Sequence, residues 1–288
     1  DLRRHLIETP NLVEQPVVQH NGLLGTGFRV INLTYDSNAP VDPNDEDTWE
    51  FIRFGGSLNN FGPAAYPGQG TNNNSGDMFG IAEVTGESVP LAAATILPPV
   101  EPRQFLGLWN NLEQRRIAEN NFTPKFPLWF VKLPTCVIAH GEQITRPPSF
   151  DGKVKFEAEL GVVIGRECAA VPEEEASDYI FGYTCINDVT ALKLINEDPA
   201  FPQWTRAKSF DTFGPFGPTV ATGLDPMDLT VKTVLNGRER QNYPVSDMIF
   251  PPQVLVSRLS HDMTLLPGDL IACGTSLGVL PMKSGSTV

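Results

Sequence analysis

The chain has 288 residues, a formal net charge of −13 and 41% hydrophobic residues. This length suffices for a buried core in one or two domains, and the acidic charge argues against nucleic acid and anionic membranes as partners. No apolar run approaches the roughly 18 residues of a membrane helix. The four cysteines form no Cys-x-x-Cys pair, which argues against zinc or a disulfide framework and for a reducing compartment, the cytoplasm.

The N-terminal third, residues 1–97, is predicted to be a small β-rich domain with long loops. Strands are predicted at 27–34, 79–84 and 89–97, where β-branched and aromatic residues are enriched. Residues 55–77 are dense in Gly, Asn, Pro and Ser, which favour turns. The proline-rich segment 98–102 has the composition of a stiff linker to the rest of the chain.

Short strands and short helices follow from residue 98 to residue 288. Strands are predicted at 128–132, 153–165, 182–186, 220–222, 231–235 and 270–273. Helices are predicted at 112–120, 173–179 and 189–196. With 26 prolines and 25 glycines, this pattern predicts a β-rich α+β fold with short helices.

The strand at 153–165 places two carboxylates side by side. Alternate side chains of a strand point to opposite faces, so Glu157 and Glu159 share one face, about 7 Å apart. Two like charges this close to a buried surface need a partner, and a hard divalent cation prefers carboxylate oxygens. The alternative is a solvent-exposed strand face with scattered charge.

Two further residues lie where chemistry is possible. Asp188 follows the strand at 182–186 and precedes a predicted helix, so it is either an N-cap or a third metal ligand. Lys208 lies among bulky apolar residues in Trp-Thr-Arg-Ala-Lys-Ser-Phe-Asp, residues 204–211. It is either a surface lysine or a partly desolvated one that stabilises enolate or oxyanion charge. No dinucleotide, phosphate-loop, nucleophile-elbow or zinc-protease motif is present in the sequence.

Four segments resemble the fumarylacetoacetate hydrolase family in their order and spacing. They are Glu-Ala-Glu-Leu-Gly-Val-Val-Ile-Gly (157–165), Asn-Asp-Val-Thr-Ala (187–191), the lysine segment 204–211, and Gly-Asp-Leu-Ile-Ala-Cys-Gly-Thr (268–275). The resemblance covers roughly residues 98–288. It implies a mixed β-sandwich roll with short helices, preceded by a small N-terminal β domain, and a homodimer. It also implies that the last strand, at 286–288, is cut short.

The resemblance also implies roles for individual residues. A Mg²⁺ ion, or Mn²⁺ or Ca²⁺, would be bound by the carboxylates of Glu157, Glu159 and Asp188. Lys208 aligns with the family's catalytic lysine. The family's Gly-Thr substrate contact aligns with Gly274 and Thr275.

The helix at 112–120 departs from the family pattern. Many members carry a His-x-x-Glu dyad that activates water, and an ungapped alignment places Glu113 and Arg116 at those positions. The dyad is therefore missing or rebuilt, with Glu113 as the nearest substitute base and Arg116 as a substrate contact. The Arg and Gln that often hold the substrate are replaced by Leu192 and Ile195. These changes are compatible with a smaller or more apolar substrate, with a reaction that needs no histidine base, or with loss of activity.

The resemblance implies a metal-dependent hydrolase or lyase that acts on a small 2-oxo acid or 1,3-diketo acid. It would hydrolyse or decarboxylate a carbon–carbon bond through a metal-bound enolate. One alternative is a hydratase, dehydratase or isomerase of a 2-hydroxydienoate or 2-keto-3-deoxy acid, which needs no such dyad. Another is a non-catalytic family member used as a binding module, and the four retained ionisable residues argue against it.

Overall fold

The computed structural model describes residues 95–288 and four strands of the N-terminal third, at 7–8, 29–30, 48–54 and 82–90. The first five strands are β1 (Ile7–Glu8), β2 (Arg29–Val30), β3 (Thr48–Phe54), β4 (Ala82–Pro90) and β5 (Thr95–Ile96). Strands β2, β3 and β4 form an antiparallel sheet, and β1 pairs with β5. The predicted strands of this third overlap β2, β4 and β5. The loop predicted at 55–77 lies outside the described residues, and the domain boundary at residue 97 stays a prediction.

The rest of the chain is built from short elements. Its strands are β6 (Phe105–Trp109), β7 (Leu128–Lys132), β8 (Val137–Ile138), β9 (Ala158–Ile164), β10 (Ile180–Asn187), β11 (Gly214–Pro215), β12 (Thr230–Leu235), β13 (Arg238–Pro244) and β14 (Leu270–Ala272). Its α-helices are α1 (Glu113–Ala118), α2 (Trp204–Lys208) and α3 (Pro252–Asp262). The prediction of a β-rich fold with short helices is confirmed.

A five-stranded mixed sheet organises this part of the molecule, in the order β10-β9-β14-β6-β7. Strand β9 runs antiparallel to both β10 and β14, and β14 runs parallel to β6. The start of β9 therefore lies at the same edge of the sheet as the ends of β10, β14 and β6. Side chains at these four strand ends are brought together by the topology alone.

Both faces of this sheet are covered. Leu270 and Ala272 of β14 belong to one apolar cluster, and Ile271 between them belongs to the other, as strand alternation requires. Helix α3 buries Leu255 against the second face. Because both faces are buried, β9 is apolar on both sides from Leu160 onward. The charged residues Glu157 and Glu159 lie on either side of its first residue, Ala158, at this edge of the sheet.

Several predicted elements are shorter than expected. The strand predicted at 153–165 begins only at Ala158, and the helix predicted at 189–196 is reduced to a 3₁₀ turn at Leu192–Leu194. The acidic helix at 173–179 is a 3₁₀ turn at Ala176–Tyr179, and segment 220–222 contributes one bridge, from Ala221 to Tyr183. The segment 286–288 forms no regular strand, although the Asn236 amide donates to the Thr287 carbonyl at 2.9 Å.

Several elements were not predicted: β1 and β3 in the N-terminal third, and β6, β8, β11, β13, α2 and α3 in the rest of the chain. Helix α3 opens with Pro252 at its first position, where a proline fits because its missing N–H has no partner there. The helix was missed because the two successive prolines, Pro251 and Pro252, are typical of a loop. Of the helices that the structure describes, none combines the length and the apolar character needed to cross a membrane.

Candidate metal centre

The three carboxylates predicted as metal ligands meet at the sheet edge. Glu157 and Glu159 flank the first residue of β9, and Asp188 directly follows the end of β10. The Asp188 amide donates to the Glu157 carbonyl at 2.8 Å, which extends the antiparallel pairing by one residue. Each carboxylate offers an oxygen within 4.8 Å of the others, and all three side chains are buried. Asp188 is therefore not a helix cap, because no helix begins there.

Lys208, the last residue of α2, is buried inside this cluster. Its ammonium donates hydrogen bonds to Glu157 Oε2 and to Asp188 Oδ2, and it lies 5.0 Å from the centroid of the Phe130 ring. Burial lowers the pKa of Lys208, but the surrounding carboxylates, Asp188 first, raise it further, so that the net shift is upward. The structure thus places a permanent cation against two of the three carboxylates.

A second buried lysine, Lys132 at the end of β7, was not predicted as a site residue. Its Nζ lies 2.8 Å from Asp188 Oδ1 and donates to the backbone carbonyls of Lys208 and, at 3.0 Å, of Phe213. Burial raises the pKa of Asp188, but the two ammonium groups outweigh it and lower the pKa below its usual range. Asp188 is therefore held ionised, and Lys132 also fixes the backbone that carries Lys208.

Glu159 behaves in the opposite way. Burial raises its pKa, and the neighbouring carboxylates of Asp188 and Glu157 raise it further, so that the pKa lies well above the usual range. The charge of Lys208 and the Gly274 amide, which donates to Glu159 Oε2 at 2.7 Å, lower the pKa and only partly offset this. The cluster is thus short of positive charge at Glu159.

The donor set fits a hard divalent cation. Carboxylate oxygens are the ligands that Mg²⁺, Mn²⁺ and Ca²⁺ prefer. Asp188 Oδ1 is buried and has no hydrogen bond of good geometry, although the Lys132 ammonium lies 2.8 Å away as a charged partner. A buried oxygen without a hydrogen bond and a neighbouring carboxylate short of positive charge are both what a cation would satisfy. Glu157, Glu159 and Asp188 are therefore the residues that would hold it.

Helix α1 lies next to this cluster, and its charged residues take two different positions. Glu113 and Arg116 form a two-point ion pair, with both N···O distances 2.6 Å, and the Glu113 side chain is 44% exposed. Their shared helix face was predicted from the i, i+3 spacing. The hydrogen bond from Arg116 lowers the pKa of Glu113, which makes it a weaker base. Their roles as base and substrate contact stay predictions.

The helix residue that approaches the carboxylates is Arg115. Its Nη1 lies 3.8 Å from Glu157 Oε1 and 3.5 Å from the Thr275 carbonyl oxygen. The rotation of α1 about its axis is fixed by Asn111, just before the helix. The buried Asn111 side chain donates to the Cys273 carbonyl at 2.8 Å and to the Phe250 carbonyl at 3.1 Å. This anchor turns Arg115 toward the metal ligands, one residue away from the aligned position Arg116.

Gly274 and Thr275 lie beside the carboxylates in the turn that follows β14. Gly274 has φ +96°, and a Cβ at this position would meet Leu112 and Asn111 at 3.1 and 3.2 Å, so glycine is required. The Thr275 hydroxyl accepts from the Gln241 side chain at 2.8 Å. Their predicted contact with substrate stays a prediction, and their position at the site favours it.

Gln241 of β13 is a buried organiser that the sequence did not reveal. Its side-chain oxygen accepts from the Ala158 amide at 3.1 Å and from the Thr233 hydroxyl at 2.9 Å, while its amide also donates to the Ser276 carbonyl at 3.1 Å. One side chain thereby holds the start of β9 and the Gly274 turn together. Its neighbours in β13 are mostly charged or exposed, which concealed its burial in the sequence.

Comparison with known proteins identifies the relatives of this chain. The model of the fumarylacetoacetate (FAA) hydrolase C-terminal domain matches residues 105–288. The chain is similar to the oxaloacetate tautomerase YisK of Bacillus subtilis, with 39% identity over 159 residues, covering 54% of this chain and 52% of the relative.

Two solved structures share the fold. The 2-hydroxyhepta-2,4-diene-1,7-dioate isomerase of Mycobacterium marinum has a TM-score of 0.73 and 31% identity, covering 99% of this chain and 92% of that one. The maleylpyruvate hydrolase of Sphingobium sp. SYK-6, in complex with manganese(II) and pyruvate, has a TM-score of 0.59 and 28% identity, covering 69% and 70%. Together with the family match, these similarities show that the chain belongs to the fumarylacetoacetate hydrolase family.

Proposed function

We propose that the protein is a divalent-metal-dependent enzyme that acts on a small 2-oxo or 1,3-diketo acid through its enolate, and that its reaction is a tautomerisation or isomerisation. The observation that carries this proposal is the Lys208 ammonium, buried among three carboxylates that would hold the cation. A fixed positive charge in a water-poor site is suited to stabilise an enolate oxygen.

The roles of the chain's own residues follow from their contacts. When bound, the cation would supply Lewis acidity, which polarises a 2-oxo group. Lys208 would donate a hydrogen bond to the oxygen on which negative charge develops. Lys132 keeps Asp188 ionised and holds the Lys208 carbonyl, so it positions both without needing to touch the substrate. The Gly274 turn, fixed by Gln241, lies beside Glu159 and would line the substrate site there.

The charged residues of α1 favour a tautomerisation or isomerisation over the hydrolysis of a carbon–carbon bond. Hydrolysis of a carbon–carbon bond needs a base that takes a proton from water. Glu113, at the aligned position of the family's histidine, is paired with Arg116 and has a lowered pKa. A keto–enol tautomerisation or a double-bond isomerisation needs no attacking water: it moves a proton between atoms of the substrate, by exchange with solvent, and a cation at the 2-oxo group would make the proton on the neighbouring carbon acidic enough for this. The similarity to a tautomerase and to an isomerase supports the same choice.

Hydrolysis or decarboxylation of a carbon–carbon bond is the second candidate. The similarity to a maleylpyruvate hydrolase that was solved with manganese and pyruvate favours it. In that case Glu113 would have to leave Arg116 and act as the base.

The test measures three reactions with Mg²⁺ or Mn²⁺, each with and without chelator. They are the tautomerisation of oxaloacetate, its decarboxylation, and the hydrolysis of an acylpyruvate. We expect the protein to speed the loss of the enol absorbance of oxaloacetate relative to a reaction without protein, and not to speed the release of CO₂. The chelator should abolish this acceleration. Arg206→Met, which removes an exposed arginine of α2 paired with Glu197, should behave as wild type. If the protein instead releases CO₂ or hydrolyses the acylpyruvate faster than it tautomerises oxaloacetate, and chelator stops this, the second candidate is supported. The absence of any chelator-sensitive turnover would contradict both.

A further inference from the structure

Three cations contact the carboxylate cluster in the part of the chain that the structure describes, and they differ in exposure. The side chains of Lys132 and Lys208 are 0% and 5% exposed, whereas that of Arg115 is 20% exposed. Lys208 contacts Glu157 Oε2, and Arg115 approaches the other oxygen, Oε1. The lysines therefore lie in the interior of the site, and Arg115 lies on its solvent side.

The guanidinium of Arg115 has hydrogen-bonding capacity to spare. Its Nε donates to Glu119 Oε1 at 2.9 Å, and its Nη1 contacts are long, at 3.5 Å to Thr275 O and 3.8 Å to Glu157 Oε1. Among the described residues, Nη2 makes no hydrogen bond. A guanidinium presents five donors in a planar fork that matches a carboxylate with two parallel bonds. The fork of Arg115 is only partly used.

Charge balance points to the kind of ligand that would use it. With all three carboxylates ionised, as a bound cation would keep them, Glu157, Glu159 and Asp188 balance Lys132, Lys208 and Arg115, whereas Glu119, which also pairs with Arg115, is 42% exposed and screened by water. A divalent cation added to this neutral cluster leaves two positive charges in a largely buried site. Uncompensated buried charge is costly. A substrate with two negative charges restores neutrality, and a substrate with one does not.

We propose that Arg115 selects 2-oxo acids that carry a second carboxylate, by binding that distal carboxylate with its guanidinium. This assignment rests on the proposed function, since it assumes that the 2-oxo carboxylate end lies at the cation and Lys208. The distal end then lies on the side of Glu157 Oε1, where Arg115 is.

A pair of unreactive probes isolates the distal carboxylate. 2-Oxoglutarate and 2-oxopentanoate have the same five carbons and differ only in that the first ends in a carboxylate and the second in a methyl group. Calorimetric titration of the Mn²⁺-loaded protein should show 2-oxoglutarate binding at least about 10-fold more tightly than 2-oxopentanoate. Arg115→Met should weaken 2-oxoglutarate about 10- to 100-fold and leave 2-oxopentanoate within about twofold.

Matched variants separate this role from a structural one. Arg115→Lys keeps the charge without the fork and should restore part of the preference. Arg206→Met removes an exposed arginine whose described ion pair is with Glu197, outside the cluster, and should change neither affinity. Retained binding of 2-oxopentanoate by Arg115→Met shows that the variant is folded and that its cation is in place.

Distinct results overturn the assignment. It fails if Arg115→Met weakens both acids equally or neither, or if Arg116→Met removes the preference and Arg115→Met does not. In those cases the proposed function stands, because wild type still binds 2-oxo acids. If wild type binds neither acid in the presence of Mn²⁺, the proposed function and the role of Arg115 fail together.

Discussion

Two groups of ion pairs near the sheet edge differ mainly in their burial. The pair Glu113–Arg116 on α1 has side chains that are 44% and 19% exposed, whereas Lys132 and Asp188 are both 0% exposed. The exposed pair follows from helical spacing and is screened by water. The buried group must be held by surrounding backbone and side chains, because burying charges costs more than a single contact returns. A buried charged group of this kind is a candidate for a functional site.

Asp269, a buried carboxylate that none of the described ion pairs joins to a cation, shows what the lysines contribute. Asp269, at the turn into β14, accepts from the Gln104 amide at 2.8 Å, from its side chain at 3.0 Å and from the Leu266 amide at 2.8 Å. Burial raises the pKa of Asp269 to about 6 despite these neutral donors. Asp188, equally buried, has a lowered pKa because two ammonium groups face it. Neutral donors alone do not keep a buried carboxylate at its ordinary pKa.

The largest expected effect on stability belongs to the buried group. Asp188→Ala leaves the ammonium groups of Lys132 and Lys208 without their shared partner and should lower the free energy of unfolding by about 3–5 kcal/mol. Urea denaturation at neutral pH measures this. Glu113→Gln, which breaks the exposed pair, is the control and should leave the midpoint unchanged. Equal losses in the two variants would contradict the contrast between buried and exposed pairs.

The next effect concerns catalysis by Lys208. Lys208→Met keeps the length of the side chain and removes the charge, so kcat on the preferred 2-oxo acid should fall about 10²-fold with little change in KM. Steady-state kinetics at saturating Mn²⁺ checks this. A loss that appears mainly in KM would mean that Lys208 only binds the substrate carboxylate, and an unchanged kcat would remove its catalytic role.

A smaller effect, on the pH dependence of stability, is expected at Asp269, whose pKa is raised whereas that of Asp188 is lowered. The folded-state pKa of Asp269 is raised to about 6, so the native state binds the extra proton between the ordinary pKa and this value. Its contribution to stability therefore falls as pH rises through that window, by about 2 kcal/mol between pH 4.5 and pH 7. The difference in unfolding free energy between wild type and Asp269→Asn, measured at both pH values, should change by this amount. A difference that does not vary with pH would show that Asp269 is ionised throughout.

The smallest effect is expected at Glu113. Because its carboxylate is held by Arg116 and partly exposed, Glu113→Gln should leave Mn²⁺ affinity unchanged and tautomerase or isomerase turnover within about twofold. Parallel assays of turnover and calorimetry test this. If kcat instead falls about 10²-fold while Mn²⁺ affinity holds, Glu113 is the base, and hydrolysis becomes the better proposal.

The sequence predicted the carboxylate cluster because strand periodicity and the family motif point to the same residues. It could not predict Lys132. In β7 both faces carry apolar residues, Phe130 on one and Trp129 and Val131 on the other, so alternation does not show which face receives the lysine. It could not predict Arg115 either, because the rotation of α1 depends on the Asn111 contacts with Cys273 and Phe250. An ungapped alignment of a short helix carries no such information.

The predictions failed mostly at elements whose length is set by tertiary contacts. The segment after Asp188 has helical composition, yet Val189 and Ala191 donate backbone hydrogen bonds to Phe213 and Ala207 instead of continuing a helix. Strand β13 was missed because its exposed side is charged, while Gln241 and Tyr243 on its inner side are buried. In both cases long-range partners outweigh local propensity.

We propose that Glu157, Glu159 and Asp188 bind a divalent cation although two lysines already contact these carboxylates. Calorimetric titration with Mn²⁺ of wild type and of Glu159→Gln tests it most directly, since Glu159 is the ligand that neither lysine contacts by a hydrogen bond among the described residues. We predict one Mn²⁺ per chain in wild type, with affinity about 10²-fold higher than in Glu159→Gln. Equal Mn²⁺ affinities in the two proteins, or no specific binding in wild type, would contradict the claim and leave the lysines as the permanent counterions of the cluster.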